Sequence, residues 1–134
     1  MSVIVTDTGF GPDDWTAPIA ALEDARDGVG IDLPSTVDPA ELAGRLPEIA
    51  MIRVDFPSSA DGRGFSIARQ LRLMGYDGRL RARGHVLADQ YAMARRCGFD
   101  EVEIDEALAA RQPQDQWLFR ADWRAHDYQA RLRG

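Results

Sequence analysis

Four short segments of this chain alternate apolar and charged residues, and this alternation restricts the fold more than anything else in the sequence. Ile31 and Leu33 flank Asp32. Ile52, Val54 and Phe56 alternate with Arg53 and Asp55. Leu80 and Ala82 sit among Arg79, Arg81 and Arg83, and Val102 and Ile104 alternate with Glu101 and Glu103. A period of two places one set on each face of a strand. The intervening segments have helical spacing, so strands and helices alternate along the chain. That order predicts a parallel sheet with right-handed crossovers. A parallel sheet with helices on both faces reads as unbroken apolar runs. These strands do not, so helices are expected on one face only. The predicted fold is α/β, with a mostly parallel sheet of about four βα units curved like half a TIM barrel. The charged face would line its concave side. A flavodoxin-like doubly wound sheet is the alternative, and it would have to bury the charges as pairs at a cost.

The length suits one domain with a substantial core. Residues 1–29 read as a short strand, Val3 to Val5, followed by an irregular segment. Gly9-Phe10-Gly11 carries little information alone, and Ala20 to Asp27 reads as a weak helix or loop. Residues 30–112 hold the βα units. Asp38, Pro39 and Glu41 form a good helix start, and the helix is expected to reach about Leu46, where Pro47 stops it. A second helix, Phe65 to Met74, carries Ile67, Ala68, Leu71 and Met74 on one stripe, and Gly75 ends it. A third runs from Val86 to Cys97, with Leu87, Tyr91 and Ala94 inward, and ends at Gly98. Glu106 to Arg111 is a short fourth. Residues 114–134, with Trp117, Phe119, Trp123 and Tyr128, read as an aromatic amphipathic helix.

The formal net charge of −6 argues against nucleic acid or an anionic membrane as partner. The chain has no Lys, so Schiff-base and P-loop lysine chemistry are excluded. One Cys permits no intrachain disulfide, which suits a reducing cytoplasm. No apolar run approaches the ~20 residues of a membrane span, and the N-terminal residues do not read as a signal peptide. Two His and one Cys, far apart, give no metal signature, and no cofactor motif appears. Asp13-Asp14 and the Asp55/Asp61 pair are at most weak magnesium ligands.

The most plausible site lies between the second predicted strand and its helix. Ser58, Ser59 and Asp61 are N-cap types, and Gly62 and Gly64 give the turn freedom. Free N–H groups at a helix start favour an anion, and Arg63 would add a fork of donors. The plain alternative is a tight connection with its own cap. The dinucleotide fingerprint is incomplete, because Gly62-Arg63-Gly64 is followed by Ile67. On the charged face, Arg53, Arg81 and Arg83 could form an anion pocket oriented by Asp55 and Glu103. Equally, the face could be solvated, paired within itself, or covered by the aromatic tail or a second subunit. His85 follows the third strand, at a place where it would serve as acid or base, or merely begin a helix. His126 reads as a surface residue and Cys97 as buried and inert. Open sheet edges lead to the expectation of a homodimer.

V-D-F-P-S-S-A-D-G-R-G-F-S-I-A-R-Q-L-R, then L-R-A-R-G-H-V-L-A-D-Q, then R-R-C-G-F-D closely resemble a bacterial family, the domain of unknown function 934. The resemblance runs from about Ile31 to Tyr128. It is most specific at Asp61-Gly62-Arg63-Gly64-Phe65-Ser66 and at Asp89-Gln90. His85 stands where relatives commonly carry an acidic residue. Members are often encoded beside assimilatory sulfite or nitrite reductase and are described as probable oxidoreductases in sulfite reduction. The resemblance therefore implies a role near sulfur assimilation, with such a reductase as partner.

Overall fold

The computed structural model describes residues 2–123. Seven strands form one sheet: β1 (Ser2–Thr6), β2 (Gly9–Gly11), β3 (Ile19–Ala21), β4 (Gly30–Leu33), β5 (Met51–Phe56), β6 (Arg79–Gly84) and β7 (Glu101–Asp105). Their order is β2-β1-β7-β6-β5-β4-β3. Strands β3 to β7 are parallel neighbours in sequence order, while β1 pairs antiparallel with both β7 and β2. The fold is therefore α/β with a mostly parallel sheet, as the alternation predicts, but with seven strands instead of about four. The extra edge strands β2 and β3 have three residues each, too few to display a period of two.

The helices are α1 (Arg63–Leu73), α2 (Tyr91–Cys97), α3 (Glu106–Arg111) and α4 (Gln114–Leu118). Phe65, Ile67, Ala68 and Leu71 of α1 and Tyr91, Ala94 and Cys97 of α2 join the apolar strand face in one buried cluster. Across that face, Leu33, Val54, Ala82, Val102 and Val5 lie in one register row. Burial pushes the Cys97 thiol up, as suits an inert core residue.

Four expectations need correction. The helix expected over Val86 to Cys97 is α-helical only over Tyr91–Cys97, after a 3-10 turn at Ala88–Gln90. Residues 38–46 do not form an α-helix. Two 3-10 turns stand there, Pro39–Leu42 and Leu46–Glu48, separated by Gly44 at φ +82°. Asp38 still caps the first, accepting from the Ala40 N–H at 3.0 Å. So short a segment with a glycine inside cannot offset the cost of nucleating a helix. Residues 20–27 begin inside β3 and continue as a 3-10 turn, Leu22–Asp24. The aromatic tail helix stops at Leu118. Its one buried residue is Trp117, which donates to the Gln112 carbonyl at 2.9 Å and meets Tyr91 edge-on at 6.1 Å. Leu118 and Phe119 face outward, so no apolar stripe carries the helix further. The rest of that predicted helix, with His126 and Tyr128, lies outside the described residues.

The charged face is held by ion pairs. Asp32, Arg53, Arg81 and Glu101 form one register row across β4 to β7, and Asp55, Arg83 and Glu103 form the next across β5 to β7. Arg53 and Arg81 are thus like charges on adjacent strands, an unfavourable arrangement by itself. Arg53 grips Asp32 with two bonds of 2.6 and 2.8 Å. Arg81 donates to Glu101 at 2.5 Å and to Glu103 at 2.8 Å. Glu103 Oε1 also accepts from Arg53 at 3.1 Å, so one carboxylate bridges both guanidinium groups.

The segment 12–18, joining β2 to β3, closes this face. Asp13 chelates Arg81 at 3.0 and 3.1 Å, and Asp14 pairs with Arg79. Strands β2 and β3 are opposite edges, six inter-strand gaps apart in the order β2-β1-β7-β6-β5-β4-β3. At ~4.8 Å per gap that is ~29 Å along the sheet. The eight residue steps from Gly11 to Ile19 reach ~26–29 Å fully extended. The segment can bridge that width only if the sheet bows toward it. Under it the Arg81 side chain is 0% exposed. Burial alone would lower the Arg81 pKa, but bonds to Asp13 and Glu103 and the charge of Glu101 outweigh it and keep the group charged.

Arg81→Ala would leave the buried carboxylates of Glu101 and Glu103 short of a partner. It should cost about 3–5 kcal/mol in urea unfolding. Arg83→Ala, half-exposed in the next row, should cost under about 1 kcal/mol. Equal costs would mean that the ladder does not organise the sheet.

Candidate functional site

The carboxyl ends of β5, β6 and β7 and the start of β1 enclose a cavity of about 260 Å³. Asp55, Arg83, His85 and Glu103, all singled out by the sequence, line it. Its wall includes Phe56, Ile104 and Leu108, each buried. Sequence reasoning missed Ser2 and Arg111, which also face it. Arg111 was legible as the last turn of the helix after β7. Ser2 was not, because nothing in the sequence told that β1 pairs with β7.

A glycine shapes this mouth. Gly84 has φ +117°, and a Cβ there would lie 2.6 Å from the Phe56 carbonyl oxygen. That close approach lets the His85 N–H reach the same oxygen at 3.0 Å. The His85 side chain is exposed, and no catalytic partner holds it among the described residues.

Arg83 differs from the other arginines of the face. Its nearest carboxylate oxygens, on Glu103 and Asp55, lie at 3.6 and 3.8 Å, beyond hydrogen-bond distance. Arg53, Arg79 and Arg81 are all chelated. Arg53 and Arg81 therefore commit most of their donors within the face, while Arg83 makes no hydrogen bond among the described residues. Asp55 is half-exposed, and Glu103 is almost fully buried and saturated by Ser2, Arg53 and Arg81.

The turn 58–64 is separate from this mouth. Arg63 donates to Asp61 through Nε at 2.9 Å and Nη2 at 2.7 Å, and its N–H reaches the same carboxylate at 3.1 Å. These Arg63 bonds hold the Asp61 carboxyl well below the usual range. An anion arriving here would compete with a carboxylate already in place. Gly62 occupies the N-cap without a side-chain bond, and Asp61 supplies the bond one residue earlier. Ser58 contributes a carbonyl to the Asp61 N–H at 3.1 Å. Ser59 offers its carbonyl to Gln90 Nε2 at 2.9 Å. Gln90 also takes the Leu87 N–H at 2.8 Å, so it ties two strand-to-helix loops together. Gly64 packs on Phe56, whose ring a Cβ would meet at 2.4 Å. Asp89 lines a third region, beside Leu87, Phe119 and Arg120.

The model of a family of bacterial proteins of unknown function, DUF934, matches residues 30–134. The chain belongs to this family. The match starts at the first residue of β4. Searches of curated proteins and of solved structures find no match. This DUF934 protein shows no group of three or more metal-ligating side chains among its described residues. Asp13 and Asp14, weak magnesium candidates by sequence, are engaged by Arg81 and Arg79. No described helix is long and apolar enough to cross a membrane.

On the far side of the sheet, Asp7 anchors α2. It accepts from Tyr91 at 2.5 Å, from Arg95 at 3.2 Å and from Trp123 at 3.3 Å. Partial burial would raise its carboxyl, but these donors prevail and lower it. Asp13 is likewise lowered, by Arg81 and the Trp15 N–H against burial. A depressed carboxyl adds stability that is complete above its unfolded pKa and lost as pH falls through the folded one. The urea midpoint should therefore hold steady from about pH 7 to 5 and fall below about pH 4. In Asp13→Asn that fall should be shallower. A midpoint that rises on acidification would contradict the assigned pairs.

Proposed function

We propose that this DUF934 protein is an accessory protein of assimilatory sulfite reduction, docking on a sulfite- or nitrite-reducing enzyme. The observation that carries this reading is an exposed apolar patch on α2 and α4. Phe119 is 79% exposed, Met93 52% and Leu118 39%. Cavities of about 530 and 570 Å³ flank Phe119, and Asp89, Arg96, Asp115, Arg120 and Asp122 surround them. An aromatic and Met centre within a charged rim has the anatomy of a protein interface. The family resemblance supplies the partner. The sequential order of β3 to β7, without the reversal a doubly wound sheet needs, supports the half-barrel reading, with the charged ladder on the concave side.

An anion-binding enzyme or sensor built on the 58–64 turn has less support, since Asp61 already occupies Arg63. The tagged protein should retain an assimilatory sulfite or nitrite reductase, and Phe119→Asp and Met93→Asp should abolish retention. Both side chains are exposed, so stability should stay within about 0.5 kcal/mol. Failure of the unaltered protein to retain the enzyme would remove the adaptor role. Retention by both variants would remove only this surface. Calorimetric heat from sulfite or sulfate, with no enzyme retained, would favour the anion reading.

A further inference from the structure

The mouth at the carboxyl ends of β5, β6 and β7 has features that the docking role leaves unused. Parallel sheets characteristically present ligand sites at this end. Four neighbouring strands contribute here: Asp55 and Phe56 from β5, Arg83 and Gly84 from β6, Glu103 and Ile104 from β7, and Ser2 from β1.

The charges of the mouth sort by whether they are already used. Glu103 is saturated by Ser2, Arg53 and Arg81. Asp105 accepts from the Leu108 N–H at 2.7 Å and caps α3. Arg83 makes no hydrogen bond among the described residues, and Arg111 makes no ion pair among them. Arg83 and Arg111 therefore line one space with donors to spare. Asp55 stands 3.8 Å from Arg83 and is half-exposed, so a ligand can take its place beside the guanidinium without breaking a hydrogen bond.

The rest of the wall mixes the apolar Phe56, Pro57, Ile104 and Leu108 with Ser2, Gly84 and His85. Two arginines that suit a carboxylate, with Phe56, Pro57, Ile104 and Leu108 beside them, fit a molecule with one charged end and a short hydrocarbon body. A volume of about 260 Å³ lies just below the ~300–1,000 Å³ of pockets for drug-sized ligands, so the ligand is small. A bare inorganic anion would leave those apolar side chains wet.

We infer that this mouth binds a small organic carboxylate, its carboxylate held by Arg83 and Arg111 and its hydrocarbon body against Phe56, Ile104 and Leu108. The site is independent of both the 58–64 turn and the α2/α4 patch. Its failure would leave the docking role standing, and the reverse holds too.

The test uses the full chain, with benzoate and hexanoate as probes, benzamide as the neutral counterpart and sulfate as the inorganic anion. Affinities come from calorimetry, and the location comes from amide shifts in NMR. Benzoate or hexanoate should bind and shift the Gly84 and His85 amides, with benzamide and sulfate weaker. Arg83→Gln and Arg111→Gln should each weaken binding by about tenfold or more, the usual effect of losing a bond to a charged group. Arg63→Gln should change nothing. Both side chains in the mouth are solvent-facing, and circular dichroism of each variant checks the fold. Absence of any shift with either carboxylate would overturn the inference. So would equal binding of benzamide or sulfate, or full affinity in both mouth variants.

Discussion

The structure depends on one carboxylate that serves two arginines. Parallel pairing puts Arg53 and Arg81 side by side on adjacent strands, and this would push β5 and β6 apart if nothing intervened. Glu103, one row further along β7, reaches back and bonds to both. Asp32 and Glu101 close the row from either side. The charges alternate in space although they do not alternate in the register row. An ion pair that is this buried contributes little net stability compared with apolar packing, but it penalises every other register. A slip of one residue would put Arg81 into the apolar cluster and Leu80 under segment 12–18.

The same ladder explains how one face of a sheet remains charged without a helical layer. Among the described residues the covering is the connection from β2 to β3, which crosses edge to edge and contributes Asp13 and Asp14 where Arg81 and Arg79 need them. An extended strand can end its polar groups on the sheet below, whereas a helix would bring an apolar stripe with nothing apolar to meet. The residues that need this cover lie within the stretch that defines the family, and the cover lies before it.

How much was legible in the sequence follows from length and period. Strands β4 to β7 have four to six residues, enough to display two faces, and their glycine-terminated helices were equally plain at Gly75 and Gly98, both with positive φ. Strands β2 and β3 showed nothing, because three residues carry no pattern and their pairing depends on the whole sheet. The pairing state of the charges was not legible either. Sequence placed Arg53, Arg81 and Arg83 on one face, but only cross-strand register separates the two chelated arginines from the one that is not. Arg63 was misleading for a local reason: its chelator is Asp61, two residues away, and a short acidic neighbour in a turn reads as a cap. Of Asp55, Asp61, Arg63, Arg83 and His85, which the convergence of strand ends would gather at one mouth, Asp55, Arg83 and His85 line it, while Asp61 and Arg63 pair with each other in the 58–64 turn.

The connection across the charged face is too short to span a flat sheet of this width, so it acts on the sheet as a string acts on a bow. Flattening would lengthen the path between β2 and β3, and covalent geometry resists that more stiffly than any packing contact. Curvature is then limited from one side: the sheet can close further around the string but cannot open beyond it. Residues added within 12–18 would slacken the string and widen the range of shapes. Residues removed would tighten it, and the strain would fall on the short pairings of β2 and β3 at its two ends, ahead of the ladder between them.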